Sequence, residues 1–252
     1  MKQYKCIYAI LDSDVKSSDH KPEIMGLDSS PVYFVGFRDI SAAVSNVNQD
    51  KMKVSSDIAF SYEKIIEDLW MKYNLLPMRF GSVMKNDTNV IEIMKKKYSD
   101  FIDNLKIVEN KSEFGLKILC DLNKTDFKTD NTFNLNNYKK LKQLDKKSVY
   151  RNYLIDKLEQ HKSEDSFMKK IDDIIEKIHS PLKKLSYLSN VTKMVTPKII
   201  LNATYLVKNE MKDEFIQKIR QIKREKKDLK FLLTGPWPPY NFVNLSIKEH
   251  IL

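Results

Sequence analysis

Acid–base, nucleophilic or metal chemistry in this chain would have to draw on four histidines, two cysteines and a few adjacent carboxylates. His20, His161, His179 and His250 each stand beside a charged or polar residue, and none is near another in sequence. The His-Glu-x-x-His pair of a zinc protease is absent, as are the P-loop, the Gly-x-Ser-x-Gly elbow and the dinucleotide glycine fingerprint. With only five glycines there is little material for a backbone phosphate cradle. The carboxylate pairs Asp172–Asp173 and Glu164–Asp165 fall on helical stretches, where solvation is their ordinary fate. Cys6 and Cys120 lie in apolar, strand-like runs without a Cys-x-x-Cys pair, and read as buried free thiols. The expectation is a protein that is not an enzyme, with no catalytic residue, no metal and no cofactor.

Binding chemistry has better candidates. The stretch LLTGPWPPYNFV, residues 232–243, holds three of the eight prolines, one of the two tryptophans and one of the five glycines. Gly235 can adopt a backbone angle closed to other residues, which predicts a clean end to the strand before it. Pro236, Pro238 and Pro239 fix their own φ and disfavour helix at the preceding residue, so the segment should be extended and close to polyproline II. Trp237 and Tyr240 add broad apolar faces with polar tips, on a backbone with little freedom left to lose. Two readings stay open: a clamp closing back over its own domain, or a surface offered to a partner. Pro236 to Pro239 also fits a bare Pro-x-x-Pro pattern. The same two readings apply to LPMRFGSV, residues 76–83, where Arg79 and Phe80 sit between Pro77 and Gly81. Arg79 is expected to pair with a carboxylate or to lay its stem along apolar surface.

The elements that must position these residues can be read from periodicity. YKCIYAIL (4–11) reads as a buried strand, followed by a polar loop over 12–30. VYFVGF (32–37) and ISAAVSNV (40–47) predict two strands joined by a tight turn at Arg38 and Asp39. A helix should run from Ser56 or Asp57 to about Tyr73, with Ile58, Tyr62, Ile65, Ile66 and Leu69 on one face. Residues 75–83 predict an edge strand or extended connection. A second helix is expected from Thr88 or Asn89 to about Leu105, burying Val90, Ile91, Met94, Tyr98, Phe101 and Leu105. FGLKILCDL (114–122) reads as a further strand. This order suggests an α+β domain over 1–122, a variant of the ferredoxin-like arrangement. Polar residues 123–136 read as a linker. The rest, 137–252, reads as a second α+β domain: a long helical segment to His179 that Pro181 disturbs, a strand at 198–207, a helix at 209–227, a strand at 228–234 and the proline-rich tail.

The chain has 252 residues, 42% hydrophobic and 31% charged, which fits one to two globular domains. No apolar run approaches the roughly 18 residues of a membrane span. Asp12 and Asp14 interrupt the N-terminal apolar run before a signal-peptide core could form, so a cytoplasmic location is expected. The net charge of +10 comes with 34 acidic residues interspersed among the cations. The clusters KKLKQLDKK (139–147) and KREKK (223–227) read as solvated helix faces. The charge does motivate an alternative function, a basic nucleic-acid-binding module. The glycine–aromatic strand motif of a ferredoxin-like RNA binder is missing, which counts against that alternative.

GPWPPYNF (235–242) together with LPMRFGSV (76–83) resembles the paired signature of the gas vesicle GvpL/GvpF family. VYFVGFRDISAAVSNV, EFGLKI (113–118) and LNATYLV add matches in the same order along nearly the whole chain. Ser82 stands where that family usually has threonine, and the +10 charge contrasts with many acidic relatives. The resemblance implies two α+β domains, the first a modified ferredoxin-like fold. It also implies an accessory or minor structural role in building gas vesicles, through contacts with the small apolar shell protein or other accessory proteins. Arg79, Phe80, Pro236, Trp237, Pro238, Pro239 and Tyr240 are then the candidate clamp or partner-binding residues.

Overall fold

In the computed structural model the described residues are 3–12, 23–48, 55–120, 164–193 and 199–243, the side chains of 164–170 and 193 excepted. The first half builds an antiparallel five-stranded sheet from β1 (Gln3–Asp12), β2 (Tyr33–Phe37), β3 (Ile40–Asn48), β4 (Leu75–Pro77) and β5 (Val83–Met84). The order is β2-β3-β1-β4, and β5 also pairs with β1. β1 is buried on both faces, as its unbroken apolar run requires. One face packs on α1 (Ser56–Trp70) through Tyr8, Leu11, Tyr62, Ile66 and Leu69. The other packs on α2 (Asp87–Lys96) and α3 (Tyr98–Val108) through Ile7, Ile10, Val90, Met94, Phe101 and Leu105.

The hairpin turn at Arg38 is as expected, with Arg38 left-handed at φ 55. Ser55, one residue earlier than expected, caps α1 by accepting from the Ile58 amide at 3.3 Å. The single helix expected over 88–105 is instead two, broken at Lys97 with φ −110 and ψ 17. Within the shorter α2 the inward face is Val90, Ile93 and Met94, which leaves Ile91 37% exposed rather than buried.

The second sheet contains β6 (Lys111–Cys120), β7 (Leu188–Lys193), β8 (Ile199–Lys208) and β9 (Leu229–Trp237) in the order β7-β8-β6-β9, all antiparallel. This corrects the expected placement of β6 with the first unit: it pairs with β8 and β9 in the interior of the second sheet. Its alternation of Phe114, Leu116, Ile118 and Cys120 specifies which face is buried, but period two says nothing about which sheet supplies the neighbours. α4 (Glu164–Lys184) and α5 (Lys212–Glu225) cover that face through Ile171, Ile178, Leu182, Phe215, Ile219 and Ile222. α4 runs through Pro181 to Lys184 rather than faltering there. The expected linker at 123–136 and the helical stretch from 137 to 163 lie outside the described residues. β7 is an addition, a short polar edge strand that periodicity did not mark.

Candidate functional site

The proline-rich stretch does not begin where β9 ends; it is the last part of β9. The strand continues through Gly235 and Pro236 to Trp237, which pairs with Glu113. Between that pair and Gly115–Thr234 the register shifts, so β9 carries an extra residue and bulges. Gly235 sits at the bulge with φ +107, and a Cβ there would stand 2.6 Å from the Glu113 carbonyl oxygen. The glycine therefore permits a close backbone approach instead of terminating the strand. The Gly235–Pro236 peptide is cis. Past Trp237 the chain turns, with the Tyr240 amide donating to the Pro238 carbonyl at 2.8 Å and the Phe242 amide to that of Pro239 at 3.3 Å. The extended conformation expected of the whole segment thus holds only as far as Trp237.

These seven candidates are not equivalent. Pro238 and Pro239 are buried, so neither offers a face to a partner and no accessible Pro-x-x-Pro ligand is formed. Pro236 is exposed, and Trp237 and Tyr240 keep 40% and 38% of their surface in solvent. Arg79 is exposed and makes no side-chain ion pair among the described residues, so of its two expected readings the carboxylate pair is not formed there. Phe80 is half-buried, edge-on to Tyr62 with ring centroids 5.3 Å apart.

Tyr62, which sequence reading placed only among the apolar residues of α1, is what ties this neighbourhood together. Met78 donates to the Tyr8 carbonyl and Ile7 to that of Ser82, each at 2.8 Å, so β1 grips both ends of a loop over 79–81. The Tyr62 hydroxyl lies beneath that loop, 2.8 Å from the Ile7 carbonyl oxygen, 3.1 Å from that of Met78 and 3.2 Å from that of Arg79. Gly81, at φ +88, turns the loop back, and the Ser82 hydroxyl closes it by donating to the Arg79 carbonyl at 2.7 Å.

The second residue missed from sequence is Glu113, only 4% exposed. Its carboxylate accepts from the Asn241 amide at 2.8 Å and from the Asn241 side-chain NH₂, so a buried anion holds the turn after Tyr240 against β6. Burial raises its pKa and the Asn241 bonds partly offset this. Asn241 in turn accepts from Asn190 of β7 at 3.3 Å. Two residues on, Val243 packs against the first sheet's core on its α2–α3 side. The stretch therefore touches both halves of the molecule.

Between α1 and the face of the second sheet that points away from α4 and α5 lies a cleft of about 540 Å³. Glu63 and Glu67 line it from α1, and Glu113, Lys117, Asn202, Thr204, Leu232, Thr234, Trp237 and Tyr240 from the other side. The Tyr240 phenol is pushed well up, first by burial and then by the charges of Glu63, Glu67 and Glu113. Among the described residues the cleft is lined by no cysteine, serine or histidine. Burial pushes the Cys6 thiol up to about 12, and His179 is hydrogen-bonded to Tyr205 at 3.0 Å. Among the described residues no three His, Cys, Asp or Glu side chains are grouped to hold a metal ion, and no helix is long and apolar enough to cross a membrane.

Comparison with known proteins gives a consistent result. Gas vesicle protein F1 of Halobacterium salinarum is 21% identical over 238 residues, 92% of this chain and 91% of that protein. Gas vesicle protein F of Microcystis aeruginosa is 25% identical over 228 residues, 88% and 91% of the two chains. The fold is that of gas vesicle protein GvpF from Anabaena, with a TM-score of 0.74, 23% identity and 97% of both chains covered. GvpF from Microcystis aeruginosa gives 0.71 at 20% identity, covering 97% of this chain and 100% of that one. The sequence model of the gas vesicle synthesis protein GvpL/GvpF family matches residues 5–244, and the chain belongs to that family.

Proposed function

We propose that this protein is a non-enzymatic accessory or minor structural component of gas vesicle assembly, acting in the cytoplasm and at the vesicle through contacts with the shell protein and other accessory proteins. Family membership supports the gas vesicle role. The observation that carries the contact role is the proline-stiffened end of β9. It is anchored by the buried Glu113–Asn241 pair yet leaves Pro236, Trp237 and Tyr240 at the surface. Rigid half-exposed aromatics suit recognition, because ordering them on binding costs little and they bury large areas. Arg79 and Phe80, on a loop fastened at both ends, form the second contact candidate.

The test is a pull-down with purified shell protein, together with vesicle production in a strain lacking this chain. Failure to associate, alongside normal vesicles in the deletion, would remove the proposal. Trp237→Ala separates the two roles of the aromatic end. Loss of binding at an unchanged thermal midpoint marks Trp237 as a contact residue. A sharp fall in the midpoint marks it as part of the clamp alone.

A further inference from the structure

α4 and α5 bury one face of the second sheet, whereas part of the opposite face looks across a cleft at α1. Gly115 and Lys117 of β6, Asn202 and Thr204 of β8, and Leu232 and Thr234 of β9 give it a mixed polar and apolar floor. Trp237 and Tyr240 line the same cleft with their rings partly in solvent. The other wall is Glu63 and Glu67, one helical turn apart on α1. Neither carboxylate has a hydrogen-bond or ion-pair partner among the described residues. Glu113 adds a third negative charge, satisfied by Asn241, and Lys117 is the one cation lining the cleft among the described residues. A concave, carboxylate-lined face is an inversion of sign on a molecule whose net charge is +10.

We propose that this cleft is a docking groove for a cationic segment of a partner protein, with a lysine or arginine side chain seated between Glu63 and Glu67 and the rings of Trp237 and Tyr240. A cation there meets two unpaired carboxylates and two aromatic faces, the combination that holds guanidinium and ammonium groups at interfaces. Asn202, Thr204 and Thr234 offer hydrogen-bonding groups to the segment's backbone. A purely apolar segment would desolvate Glu63 and Glu67 without compensation, and an anionic one would be repelled by them. The cleft is large enough for a few side chains rather than a whole helix. The inference rests on the protein-contact reading above and gives the partner a chemistry, without depending on which vesicle protein carries it.

The test uses hexa-arginine and hexa-glutamate peptides on full-length protein carrying Trp70→Phe, which leaves Trp237 as the sole tryptophan. Hexa-arginine should give a saturable change in Trp237 fluorescence at low salt that weakens as salt rises, and hexa-glutamate none. Adding Glu63→Gln and Glu67→Gln should weaken hexa-arginine binding about tenfold, the loss of two partly exposed ion pairs. Absence of hexa-arginine binding, or equal binding by the double variant, overturns the proposal. So does dimerisation that the double variant abolishes, since a second copy would then fill the groove. Shell protein that binds the wild type and the double variant equally leaves the assembly role standing and removes the groove as its site. Hexa-arginine held through Glu63 and Glu67, with no binding of shell protein, keeps the groove and removes that partner.

Discussion

At the scale of single residues, the site depends on two polar groups placed where apolar ones would be expected. The Tyr62 hydroxyl has three backbone carbonyls within 3.2 Å beneath the 79–81 loop. Tyr62→Phe keeps the ring against Phe80 and removes the donor, so urea unfolding should show a loss of about 1–2 kcal/mol, one buried hydrogen bond with its acceptor left unsatisfied. Glu113 makes a prediction in pH. Burial sets its folded pKa above the unfolded value, so the folded state takes up the proton first. Its contribution to stability is therefore greatest below the unfolded pKa and is lost as pH rises through the folded one, the reverse of an ion-paired carboxylate. The thermal midpoint of the wild type should therefore fall relative to that of Glu113→Gln as pH rises through the acidic range. The proline-rich candidates were legible because proline and glycine act locally on φ. Glu113 and Tyr62 were not, because only tertiary packing decides that a glutamate ahead of a strand core is buried, or that one ring in an apolar stripe carries the useful hydroxyl.

At the scale of elements, strand and helix types followed from periodicity, while partners and breaks did not. The alternation in β6 was plain, but its place between β8 and β9 depends on residues 80 to 124 positions further on, to which no local pattern points. β7 was missed because LSNVTK is a polar edge strand whose pairing is supplied by β8. The break at Lys97 was hidden because hydrophobic spacing carries on across it. Glycine shows the same limit: positive φ was legible at Gly235, its consequence was not. A Cβ at Gly235 would meet the Glu113 carbonyl oxygen at 2.6 Å, whereas one at Gly81, also at positive φ, would meet nothing within 4 Å. Gly235→Ala should therefore cost about 2–3 kcal/mol, combining backbone strain with the displacement of β9 from β6. Gly81→Ala should cost about 1 kcal/mol, the left-handed penalty alone. Chemical denaturation of the two variants side by side tests whether the bulge, and not turn geometry in general, is what requires glycine.

At the scale of the whole molecule, the two sheets have separate cores and few described links. Lys212 at the start of α5 lies over the Trp70 ring of α1, 5.7 Å from its centroid. Val243 packs on the first sheet's core, and Tyr240 faces the carboxylates of α1. Asn241 sits between these last two contacts and ties them to the second sheet through Glu113. If this tie transmits unfolding, the halves melt together. The two tryptophans report one on each half, Trp70 from α1 and Trp237 from β9. Single-tryptophan proteins carrying Trp237→Phe or Trp70→Phe should share one denaturant midpoint. With Asn241→Ala added, the side-chain bond to a buried carboxylate is lost while the backbone amide bond stays, and the two midpoints should separate. The Trp237 signal should move first, because the carboxylate that loses a donor lies in the second sheet. Coincident midpoints in the variant would show that coupling between the halves does not depend on the Asn241 side chain. The aromatic end would then be free to serve a partner without holding the molecule together.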